Sequence, residues 1–70
     1  MIGITRPKVH RVSPKKLTDI IGRRTPLGLF LTREGHIWVA VDNTTGAAWT
    51  EDFDRKRQAV RWLRGELEVC

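Results

Sequence analysis

Three carboxylates stand close together in this chain, Glu51, Asp52 and Asp54. Paired acids of that kind carry out general acid–base chemistry only inside a walled, water-poor cleft. A chain of 70 residues has little room for one. The simpler reading is that Asp54 caps a following helix while Glu51 and Asp52 stay solvated and favour its dipole. His10 and His36 fall in separate segments, and no Cys-x-x-Cys or His-x-x-x-His spacing occurs, so no metal site is expected. Gly22, Gly28 and Gly35 fit neither a dinucleotide fingerprint nor a phosphate-binding P-loop. The sequence therefore points away from an enzyme: no catalytic residue, no metal and no cofactor are expected.

What remains is charge. The net charge is +5, and its distribution is lopsided. Residues 1–24 hold seven basic side chains (Arg6, Lys8, Arg11, Lys15, Lys16, Arg23, Arg24) against Asp19 alone. Residues 25–70 hold six basic and seven acidic side chains and are close to neutral. A basic arm or patch on a near-neutral body suits a polyanion, and phosphate is the commonest one. Arg57, Arg61 and Arg64 form a second basic group at helical spacing. Arg55, Lys56 and Arg57 fall in a first helical turn, where the dipole disfavours cations.

The elements that must position these residues are legible in part. Residues 1–12 read either as a basic N-terminal arm or as an edge strand interrupted at Pro7. Residues 13–70 read as a single small α+β domain. Ser13 is a natural N-cap with Pro14 in the first helical position; Leu17, Ile20 and Ile21 make one apolar face, and Gly22 ends the helix. Three strands follow as an antiparallel meander: Leu27 to Arg33, His36 to Asp42, and Ala47 to Phe53. Glu34-Gly35 forms the first turn and Asn43 to Gly46 the second. A final helix from about Arg55 to Arg64 packs across one sheet face through Ala59, Trp62 and Leu63, stopped by Gly65. The tail 66–70 is expected to fray or to form a short strand. The second strand has apolar bulk on both faces, Ile37, Val39 and Val41 against Trp38, so a second face needs covering. Phe30 and Trp38 are either core beneath the first helix or an exposed aromatic surface with Thr32, His36 and Arg33.

Residues 35–64 carry Gly-His-Ile-Trp-Val-Ala-Val-Asp-Asn-Thr-Thr-Gly, then Trp-Thr-Glu-Asp-Phe-Asp, then Arg-Gln-Ala-Val-Arg-Trp-Leu. This pattern resembles the plant AP2/ERF and phage-integrase arm-type DNA-binding domains. Those domains pair a three-stranded sheet with one helix and enter the major groove through sheet arginine and tryptophan side chains. The resemblance implies that Arg33, His36 and Trp38 face bases. It covers under half the chain, and the family's other sheet arginines are missing here, where Glu34, Asp42, Glu51 and Asp52 make the meander acidic. The chain also looks like the small accessory proteins of phages and mobile elements.

The expected function is thus a non-enzymatic nucleic-acid-binding module, with DNA favoured over RNA. Contacts are expected from Arg6, Lys8, Arg11, Lys15, Lys16, Arg23, Arg24, Arg33, His36, Trp38, Arg57, Arg61 and Arg64. The alternative is a protein-interaction module, a phage-type inhibitor or a homodimer, using an exposed aromatic surface around Phe30, Trp38 and Trp49. The lone Cys70 permits no intrachain disulfide, and no apolar run approaches the length of a bilayer span. With no signal-peptide pattern, a cytoplasmic location and no membrane partner are expected.

Overall fold

Ser13 opens the first helix as its type and position demand. Its Oγ accepts the Lys16 N–H at 3.1 Å, and Pro14 occupies the first turn, where no intrahelical donor is needed. In the computed structural model, which describes residues 8–65, the chain runs β1 (Val9–Arg11), α1 (Pro14–Arg23), β2 (Leu29–Glu34), β3 (Ile37–Asp42), β4 (Trp49–Phe53) and α2 (Lys56–Leu63). Arg6 and the tail 66–70 lie outside the described residues.

The fold is α+β, but the sheet has four strands in the order β1-β2-β3-β4, where three were expected. Of the two forms open to the first segment, Val9–Arg11 takes the strand. It pairs in parallel with β2, Val9 opposite Leu29 and Arg11 opposite Leu31, and the Val12 N–H extends the ladder to the Leu31 carbonyl at 2.9 Å. The sheet is therefore mixed, with the antiparallel meander confined to β2, β3 and β4. A parallel neighbour requires a crossover, and α1 supplies it.

Alternation along β2 decides how the layers are arranged. Leu29 and Leu31 point to one face, where they form a core with Ala40, Ala59 and Leu63, flanked by Trp38, Phe53 and Trp62. Phe30 points to the other, where it meets Leu17, Ile20 and Val41. Helix α2 covers the first face and α1 the second, so β2 is buried on both sides from Leu29 to Thr32. Phe30 is thus core beneath the first helix. Trp38 is not: it lies on the opposite face, half-buried against the α2 core.

Two helix boundaries differ from expectation. Gly22 does not stop α1; the helix runs through it, and Arg24 closes it in the left-handed region at φ 57°. Asp54 does not cap α2. The N-cap is Arg55, which makes no side-chain capping hydrogen bond. Both meander turns carry their glycines in the left-handed region, Gly35 at φ 60° and Gly46 at φ 82°. The first turn is Gly35-His36 rather than Glu34-Gly35, because Glu34 still pairs with Ile37 in the ladder.

The end of the sheet away from the first turn is tied by Asn43, which is fully buried. Its Nδ2 donates to the Pro26 carbonyl at 2.8 Å, and its Oδ1 accepts the Ala48 N–H at 3.1 Å. Its backbone pairs with Gly28 in both directions. One side chain therefore joins the loop entering β2 to the loop entering β4.

Candidate nucleic-acid interface

Arg33 and Trp38 flank the first turn and face each other across the β2–β3 ladder. That pairing puts both side chains on the α2 side of the sheet. The Arg33 Nε donates to the Gly35 carbonyl at 3.0 Å, which pins the guanidinium near the turn; its Cζ lies 5.6 Å from the Trp38 ring centroid. Arg11 reaches the same ring from β1, with Cζ at 5.0 Å. Lys56, in the first turn of α2, brings its Nζ to 5.7 Å. Three cations from three elements therefore converge on one indole.

Each of the three is held by the ring quadrupole, an attraction of about 0.5–1 kcal/mol at exposed sites. The indole neutralises none of them. All three lie within 5.7 Å of one point, so no two are more than about 11 Å apart. In water each pair then repels by at least roughly 0.4 kcal/mol before salt screening. Among the described residues no carboxylate lies within ion-pair distance of Arg11, Arg33 or Lys56, whereas Arg23 on α1 does bind Asp19 at 2.8 Å. The start of α2 adds to the positive potential. It has no acidic residue in its first turn and no side-chain cap, so the amides of its first turn lack intrahelical acceptors.

The other expected site residues separate into groups. Arg57 and Arg61 are exposed on α2 and Arg64 at its C-cap, adding positive charge along the helix that begins at Lys56. Lys15, Lys16, Arg23 and Arg24 are exposed at α1, which packs on the opposite face of the sheet. Lys8 is exposed just before β1. The expected residues therefore do not form one surface. His36 is exposed in the turn and outside the strands, while Phe30 and Thr32 are buried under α1. The aromatic surface of Phe30, Thr32, His36 and Trp38 is accordingly not a surface at all, because its members lie on two faces and a turn.

Lys56 was not among the residues the sequence singled out for contact. Its signal was present as a cation misplaced in a helix's first turn, but its convergence with Arg11, 45 positions away, depends on β1 docking beside β2. Among the described residues no helix is long and apolar enough to cross a membrane. No protein-family model, curated protein or solved structure matches this chain.

Proposed function

We propose that this chain is a small non-enzymatic nucleic-acid-binding protein that meets its partner, DNA in preference to RNA, with the α2 side of the molecule. The observation that supports this reading is the convergence of Arg11, Arg33 and Lys56 on Trp38, with no carboxylate among the described residues to pair them. A surface that gathers like charges and leaves them unpaired is complementary to a polyanion. Arg57, Arg61 and Arg64 lengthen that surface along α2, giving it several contact points for a phosphate backbone. The cations of α1 face the other way and add to long-range attraction.

Fluorescence anisotropy of labelled duplex and single strands, titrated at about 50 and 200 mM salt, tests the reading, because phosphate-driven binding changes steeply over that range. Binding that weakens sharply with salt is the expected result. Absence of binding at the lower salt refutes it.

A second reading, self-association or binding of a protein partner, draws on Leu27 and Trp49, which are 64% and 67% exposed. Both sit at the sheet end opposite Trp38. Sedimentation showing a concentration-dependent mass that Trp49→Ser abolishes would favour it.

A further inference from the structure

We infer that Arg11, Arg33 and Lys56, arranged around Trp38, form a discrete phosphate-binding site. This rests on the nucleic-acid reading for the source of the phosphate, an internal backbone phosphodiester, but the site's chemistry stands on its own geometry. Trp38 packs against the core cluster of Leu29, Leu31, Ala40, Ala59 and Leu63, which gives the site an apolar support. The three cationic groups stand 5.0, 5.6 and 5.7 Å from its ring centroid. Two of them are guanidiniums, whose planar forks match phosphate oxygens in pairs, and the third is an ammonium that acts as a point charge.

No carboxylate among the described residues pairs with these cations. Asp54, two residues before Lys56, accepts no hydrogen bond and makes no ion pair among the described residues, and Arg55 stands where a capping acid or hydroxyl would lower the local potential. A bound phosphate oxyanion would offset the mutual repulsion of the three cations. Trp38 is the positioning residue: it holds the cations in register and leaves the contacts with the anion to them.

The first test is a ¹H–¹⁵N correlation spectrum of the full chain titrated with inorganic phosphate, against sodium chloride at matched ionic strength. Trp38, Trp49 and Trp62 give three indole signals, so two serve as internal controls. The expected result is a saturable shift of the Trp38 indole that is lost in the R11Q/R33Q/K56Q variant, whose retained spectral dispersion shows that it folds. No shift, or equal shifts at all three indoles, overturns the site.

The second arm measures duplex DNA affinity against salt for the same two proteins. Each phosphate contact contributes about 0.9 to the slope of log K against log salt, so removing this one site should lower its magnitude by about 0.9. DNA binding with an unchanged slope in the variant overturns the site and leaves the nucleic-acid reading in place. A phosphate-responsive Trp38 in a protein that binds no DNA supports the site, names free phosphate as its source and refutes the nucleic-acid reading.

Discussion

Replacing Asn43 with alanine tests whether one side chain holds two loops together. In the folded chain Asn43 is fully buried, donates to the Pro26 carbonyl at 2.8 Å and accepts from the Ala48 N–H at 3.1 Å. The substitution strands both partners. Each bond is only part-buried, so each loss is set at about 1–1.5 kcal/mol, the upper end for neutral hydrogen bonds. Together they amount to roughly 2–3 kcal/mol. A domain of this size has on the order of 4–10 kcal/mol of stability in total. In a small domain each kcal/mol moves the midpoint by about 4–8 °C, so Tm should fall by roughly 10–20 °C. Urea denaturation followed by circular dichroism measures the change, with exposed Thr45→Ala as the control expected to stay within about 0.5 kcal/mol. Should Asn43→Ala lose no more than that control, the loops are held by something other than Asn43. The Trp38 cluster lies at the other end of the sheet, so phosphate binding by the folded variant should be unchanged.

Two further outcomes are expected. Leu63→Ala removes a fully buried side chain from the α2 core and should cost about 2–5 kcal/mol in the same denaturation assay. Arg55→Asp supplies the missing cap and should stabilise α2 by about 0.5–2 kcal/mol, read as a higher melting temperature, while weakening DNA binding in anisotropy. A gain in stability without any loss of affinity would separate the uncapped helix start from the binding surface.

The parts of the fold written in local chemistry were legible in the sequence. Ser13-Pro14 marks a helix start, Gly35 and Gly46 mark turns, and apolar bulk on both sides of the second strand demands two covering layers. The strand β1 was open because three residues carry no usable period, and its pairing with β2 is a contact made across α1. Capping was misplaced by one residue: Asp54 has the right chemistry, but the chain enters α2 at Arg55. Gly22 has no contact pressing on it, and helix α1 passes through it to end at Arg24. The candidate site was half visible. Arg33 and Trp38 are cross-strand partners of a two-residue turn, so their meeting follows from register. Arg11 and Lys56 join them only through the tertiary fold.

The outer edge of β4 has a bearing on how the protein behaves when crowded. Its backbone faces no further strand among the described residues, the situation in which sheets recruit one another and grow. Glu51 and Asp52 lie in the middle of that strand, on opposite faces. A second copy docking alongside in parallel and in register would set its own Glu51 and Asp52 a strand spacing of about 4.8 Å away, placing like charges against each other on both sides of the joined sheet. Such repulsion would oppose that mode of growth, in the same direction as the net charge of +5.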